Sequence, residues 1–284
     1  MVLKREQFNL ERIATKNTIK ILRFLTTKPY LSFGLTELSE DLKISKSNIL
    51  RILTVLREGN LIIEQKSGKK KLFRINSEMS IIKILWNLFM SERRYNLPTN
   101  FKNVIDLFYE QVKNDVELFI LFGSVAQGLA TEKSDVDICV VSGKGINAGR
   151  FDFLPHRFEI HNYSWEDVKD PNDFVILDAL LKGVVYKGDV FEIVANLKSF
   201  PKSYLIYRLE KAKEFFKKAE LLENEANEYY KGIAKTTLGE VESLLHRKST
   251  IPKQEIVFED INIEAKIKIL EEEIVREGER IWLI

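Results

Sequence analysis

Cysteine is almost missing from this 284-residue chain. The single Cys139 excludes a disulfide framework and any cysteine-built zinc cluster. Histidine is scarce as well: His156, His161 and His246 are too few and too scattered for a histidine-rich metal site. Long apolar runs are lacking. The longest apolar patch, Ile81–Met90, contains Lys83 and covers about half a membrane span. The opening residues, MVLKREQFNL, hold no apolar signal-peptide core. These absences lead to the expectation of a soluble, cytoplasmic protein with no membrane partner. What is present is ordinary for a globular chain, 45% hydrophobic and 30% charged residues, and the length suits two domains of roughly 150 residues each.

The balance of 44 basic against 42 acidic residues conceals an asymmetry. Residues 1–80 carry 16 Lys and Arg against 8 Asp and Glu, a net +8, which leaves 28 against 34, a net −6, for the remainder. A basic N-terminal piece on a mildly acidic body suits a polyanion-binding module joined to something else. A merely solvated basic surface would give the same count, so the fold pattern has to decide.

The pattern predicts three helices and a hairpin over residues 10–76. Ile13, Ile19, Leu22 and Leu25 form an apolar stripe at helical spacing, ended by Lys28-Pro29. Thr36–Leu42 is a short second helix. A third opens at Ser45-Lys46-Ser47-Asn48, buries Ile49, Ile52, Leu53 and Leu56, and ends near Gly59. Leu61–Glu64 and Leu72–Ile75 read as strands around the turn Gln65–Lys71, which holds Gly68 and four lysines. This order resembles the winged helix–turn–helix family, with its domain at residues 1–78. The start of a recognition helix reaches base edges and phosphates, so Lys46, Ser47, Asn48 and Arg51 are candidate DNA contacts. Lys66, Lys69, Lys70 and Lys71 at the wing would touch the DNA backbone. Use of the same fold for protein contact or dimerisation is the plainer alternative.

Helices Ser80–Ser91 and Phe101–Lys113 form a connection over residues 79–113. The pattern then changes. Val116–Phe122, Val136–Val141 and Phe158–Tyr163 are strand-length runs rich in bulky apolar residues. Between the first two lies the sharpest signal, LFGSVAQGLATEKSDVDICVV: a strand, Gly123-Ser124, ten residues including Gly128, then Asp135-x-Asp137. Gly123 permits a sharp turn and close backbone approach. Ser124 offers a hydroxyl beside exposed N–H groups, a cradle for phosphate. Asp135 and Asp137, two apart on a strand, project from one face. Two such carboxylates repel unless a cation lies between them, and Mg²⁺ suits a site completed by substrate phosphates. Alone, a Gly-Ser turn is usually only a turn and an Asp-x-Asp usually only solvated; their joint spacing carries the reading.

Gly123, Ser124, Gly128, Ser134, Asp135 and Asp137 together resemble the DNA polymerase beta-like nucleotidyltransferase superfamily, particularly its small prokaryotic members. The segment GVVYKG at 183–188 also looks like these proteins. The resemblance implies a nucleotidyltransferase domain over residues 114–200. It would use two Mg²⁺ ions and an NTP, ATP first, and move a nucleoside monophosphate to a hydroxyl. It implies Asp135, Asp137 and a third carboxylate as metal ligands and catalytic residues, with Gly123 and Ser124 holding the triphosphate. Glu159 is the candidate third acid, although the family more often has Asp there, and Asp152 is the fallback. Cys139, deeper on the face of the two aspartates, reads as packing; His161, on the face of Glu159, reads as a structural histidine, with proton handling as the alternative.

Residues 201–284 read as a C-terminal helical domain, helical over Tyr204–Tyr230 and again over Glu264–Trp282, with Trp282 as an anchor in a core or interface. Resemblance to the HEPN type of bundle is weak. Glu240, Val241 and Glu242 stand upstream of His246 where its ribonuclease version has arginine, so no ribonuclease activity is expected. The fold class is α+β and multi-domain. The leading function is a DNA-binding nucleotidyltransferase acting on a protein, nucleic-acid or small-molecule hydroxyl, with a homodimer among its expected partners. The rival is a transcriptional regulator or antitoxin-like protein whose transferase-like domain binds nucleotide without turnover.

Overall fold

The computed structural model describes residues 14–68, 70–151, 153–246 and 262–283. Ile13, Lys69 and Asp152, named above, lie outside the described residues. The chain is a mixture of helices and small sheets, an α+β protein. It divides into two compact units, Met1–Trp165 with Asp178–Asn196, and Glu166–Leu177 with Leu197–Ile284. Among the described residues, no helix is long and apolar enough to cross a membrane.

The first unit opens with helix α1 (Lys16–Thr27), capped by the Thr15 hydroxyl, which accepts from the Thr18 N–H at 3.3 Å. Its buried face is Thr18, Ile21, Leu22, Leu25 and Thr26. Ile19 is 39% exposed, so the expected stripe is rotated: Ile21 takes the inward position that Ile19 was given. Two residues, Phe33–Gly34 (β1), lead into α2 (Leu35–Leu42), and α3 (Lys46–Glu58) follows with Ile49, Ile52, Leu53 and Leu56 buried. Strands β2 (Ile62–Ser67) and β3 (Lys70–Ile75) are longer than the apolar pattern suggested, because ladder bonding continues through the lysines to the tip. The sheet order β1-β3-β2 is antiparallel throughout.

Helices α4 (Ser80–Tyr95) and α5 (Thr99–Val112) lead to a four-stranded sheet of β4 (Val116–Phe122), β5 (Val136–Ser142), β6 (Phe158–Tyr163) and β7 (Val184–Lys187), in the order β6-β5-β4-β7. β4 pairs antiparallel with β5 and β7, whereas β5 and β6 run parallel. The central strands are nearly continuous apolar runs because both their faces are covered. On one face, Phe101, Ile105, Phe108 and Val112 of α5 meet Phe119, Leu121, Ile138 and Val140. Phe108 anchors this layer, stacked on Phe158 at 4.5 Å and edge-on to Phe151 at 4.4 Å. The opposite face carries Phe122, Asp137, Cys139, Glu159 and His161, by strand alternation and register.

Arg93 of α4 ties this unit together. Its guanidinium donates to the carbonyls of Lys182 (2.6 Å), Gly183 (2.8 Å) and Ala126 (3.4 Å). Its neighbour Glu92 pairs with Arg23 of α1 at 2.6 Å. One helix thus bonds both to the N-terminal helices and to the backbone around the sheet.

The second unit contains α10 (Lys202–Glu220), α11 (Asn224–His246) and α12 (Ile263–Arg276); the shorter helices α6 (Gly123–Ala126), α7 (Trp165–Lys169), α8 (Phe174–Lys182) and α9 (Phe191–Ala195) precede them in the chain. The stretch Tyr204–Tyr230, expected to be helical, is two helices, separated at Leu221–Glu223 before Asn224 adopts a left-handed φ of 57°. The last helix stops at Arg276. Beyond Gly278 the chain turns to β9 (Arg280–Trp282), which pairs antiparallel with β8 (Ser199–Pro201). Ile281 is fully buried there while Trp282 is 55% exposed, so Ile281, not Trp282, is the core anchor. Two buried cations cross-link the helices. Arg208 of α10 meets Glu240 of α11 at 3.0 Å, and Lys266 of α12 meets Glu242 of α11 at 2.5 Å.

Candidate active site

The candidate site lies where β4 ends and β5 and β6 begin. Phe122 finishes β4 in extended conformation, and Gly123 follows at φ +69°. This bend presses backbone against carboxylate. A Cβ built at Gly123 would stand 1.9 Å from Asp137 Oδ2 and 2.7 Å from its Cγ. Only glycine satisfies both the left-handed backbone and this approach. Gly123–Ala126 make a single helical turn, closed by Gln127 donating from its backbone N–H (3.3 Å) and from Nε2 (3.2 Å) to the Gly123 carbonyl. A helix this short contributes little macrodipole, so any phosphate cradle rests on the first-turn N–H groups and the Ser124 hydroxyl.

The connection to β5 is folded on itself. Ser134 Oγ accepts from the Thr131 N–H at 2.8 Å, and the Ser134 N–H donates to the Thr131 carbonyl at 2.9 Å. The Val136 N–H then donates to the Arg157 carbonyl at 2.8 Å, which starts the parallel pairing. That pairing sets Asp137 opposite Glu159 and Cys139 opposite His161.

One donor atom from each of Asp137, Glu159 and His161 lies within 4.8 Å of the other two. Glu159 Oε1 and His161 Nε2 are 3.5 Å apart, with the glutamate side chain 54% and the histidine 25% exposed. The imidazole packs edge-on to Phe122, 5.4 Å between centroids. The set of two carboxylates and one imidazole, facing a bend that only glycine can form, fits a divalent cation.

Asp137 and Glu159 come together as their positions on neighbouring strands suggested. Asp135, half-buried and just ahead of β5, stands outside the three-donor cluster. His161 is inside it. The signal that would have found it is its two-residue spacing from Glu159, weighed as a donor instead of as packing. Cys139 is fully buried in the strand below.

At the other end of the first unit, Lys46, Ser47 and Arg51 are exposed at the start of α3, and Arg51 Nη2 donates to Asn48 Oδ1 at 3.3 Å. Lys66 and Lys70 are exposed beside the turn at Gly68. Lys71 is exposed as well, and its ammonium pairs with Glu64 at 2.7 Å. Arg57 reaches the same glutamate at 2.6 Å, and these partners hold the Glu64 carboxyl below its ordinary pKa, the hydrogen bond from Lys71 foremost.

Residues 102–224 match the family model described as the nucleotidyltransferase domain. This stretch contains β4 to β7 and every residue of the candidate site, and it supports a general capacity for nucleotidyl transfer. No curated protein matches the chain.

Proposed function

We propose that this protein is a divalent-metal-dependent nucleotidyltransferase with an N-terminal DNA-binding winged helix. The observation that carries the reading is the closure of the Gly123 bend onto Asp137 beside Glu159, within the stretch similar to nucleotidyltransferase domains. Asp137 and Glu159 would hold Mg²⁺, and Asp135, outside the cluster, would be left to engage a second ion. When bound, the cation supplies charge neutralisation for the triphosphate and acidifies the attacking hydroxyl. Ser124 and the first-turn N–H groups orient the β- and γ-phosphates. The acceptor oxygen bonds to the α-phosphorus as the bond to the β-phosphate oxygen breaks. Pyrophosphate leaves, and the hydroxyl proton passes to Glu159, the most exposed of the three donors.

The winged-helix part of the proposal is supported by the order of three helices and an antiparallel β1-β3-β2 sheet, with an exposed polar start to α3. The position of Asp135 outside the cluster favours a second reading, a nucleotide-binding regulator without turnover. Incubation with α-labelled ATP, Mg²⁺ and protein, nucleic-acid and small-molecule acceptors decides between them. Label transfer by wild type that disappears in Asp135→Asn/Asp137→Asn supports the enzyme. Nucleotide binding with no pyrophosphate release supports the regulator.

A further inference from the structure

His161 owes its place to a non-local register. Parallel pairing of β5 with β6 sets Asp137 beside Glu159, and strand alternation then returns His161 to the same face two residues on. The ring is held edge-on against Phe122, the residue that precedes the Gly123 bend. Its Nε2 stands 3.5 Å from Glu159 Oε1. That is longer than a good N–H···O hydrogen bond, about 2.7–3.2 Å. It is close to the spacing of two ligands on one cation: bonds of about 2.1 Å set neighbouring donors about 3.0–3.4 Å apart. The third donor, from Asp137, is within 4.8 Å of both.

We infer that His161 is a nitrogen ligand in this site, and that it turns the cation preference toward first-row transition ions over Mg²⁺. The inference rests on reading the site as a cation site and adds the identity of the ion. Mg²⁺ takes oxygen donors and keeps its waters, whereas imidazole favours transition ions such as Co²⁺ and Zn²⁺. Asp137 and Glu159 alone would make an oxygen site; the imidazole makes it a mixed one. Mg²⁺ still binds through the carboxylates, more weakly.

The test uses the full chain with Co²⁺ alone and Mg²⁺ alone, titrated into wild type and His161→Gln. Wild type is expected to bind Co²⁺ at least tenfold more tightly than Mg²⁺. His161→Gln should weaken Co²⁺ by about tenfold or more while leaving Mg²⁺ within about twofold. A second readout needs no variant: on adding Zn²⁺ to wild type, the ¹⁵N imidazole resonance of His161 should shift, while that of His156, stacked on Phe101, should not. Equal Co²⁺ affinity in both proteins, or an unmoved His161 resonance, overturns the inference and leaves a carboxylate Mg²⁺ site standing. Absence of binding by any of the three cations in wild type overturns the cation site itself.

Discussion

Replacing Gly123 by alanine separates two costs that the structure keeps distinct. The backbone there is left-handed, φ +69°, which costs an L-residue about 1–2 kcal/mol. The new Cβ would also begin 1.9 Å from Asp137 Oδ2, where real Cβ atoms stay beyond 3.0 Å. The carboxylate or the bend must therefore move by at least about 1.1 Å, a displacement that costs on the order of 100-fold in rate when it falls on a catalytic group. Gly128 supplies the comparison. Its φ is +71°, but nothing lies within 4 Å of a Cβ built there. Gly128→Ala should thus lose about 1–2 kcal/mol of stability and keep its turnover. Gly123→Ala should lose a similar amount of stability and about 100-fold in pyrophosphate release from NTP. Urea unfolding and a coupled pyrophosphate assay on both variants measure the two quantities. Wild-type turnover in Gly123→Ala, or an equal loss in Gly128→Ala, refutes the claim that the bend is shaped around the Asp137 carboxylate.

Other consequences follow from particular contacts. Lys266→Ala removes the buried ammonium, 3% exposed, that meets Glu242 at 2.5 Å, and should cost about 1.5–3 kcal/mol in urea unfolding, the scale of a hydrogen bond between charged groups. Arg93→Ala removes the donor to three carbonyls and should cost about 3 kcal/mol by the same measurement, with turnover falling because Ala126 ends the turn that Gly123 begins. Burial, with the charge of Asp106 adding to it, pushes the Tyr186 hydroxyl well above its ordinary value of 10.0. The folded protein therefore holds that proton at a pH where the unfolded chain releases it, so stability should fall as pH rises above about 10, and Tyr186→Phe should flatten that slope. Lys46→Ala with Arg51→Ala should weaken duplex DNA binding in fluorescence anisotropy and reduce the slope of log affinity against log salt by about 2; DNA binding that is absent or indifferent to salt would contradict the N-terminal proposal.

The parts of this architecture that local pattern governs were legible in the sequence. β4 and β6 occupy the residues that their apolar runs marked out, and α3 buries the four residues its spacing picked. The Gly-Ser bend and Asp-x-Asp pair were readable because both sit within one strand–turn–strand unit. What was hidden depends on pairing between distant segments. His161 joins Asp137 through the parallel register of β5 and β6, which no periodicity within either strand encodes. Asp135 shares a face with Asp137 by alternation, yet it lies before β5 begins and outside the cluster. Lys71 stands opposite Lys66 in the hairpin, and its ion pair with Glu64, two residues along β2, depends on that register and not on the run of lysines. Near the C-terminus, helical periodicity ran on past Gly278, and only pairing with Ser199–Pro201 turns Arg280–Trp282 into a strand.

The central claim, that Asp137 and its neighbours hold a divalent ion against a nucleoside triphosphate, is tested most directly by calorimetry of ATP binding with and without Mg²⁺. Wild type should bind ATP with an affinity that rises on adding Mg²⁺, and Asp137→Asn should lose that rise while staying folded by circular dichroism. Heat that is absent for every common NTP, or identical in wild type and Asp137→Asn, would contradict it.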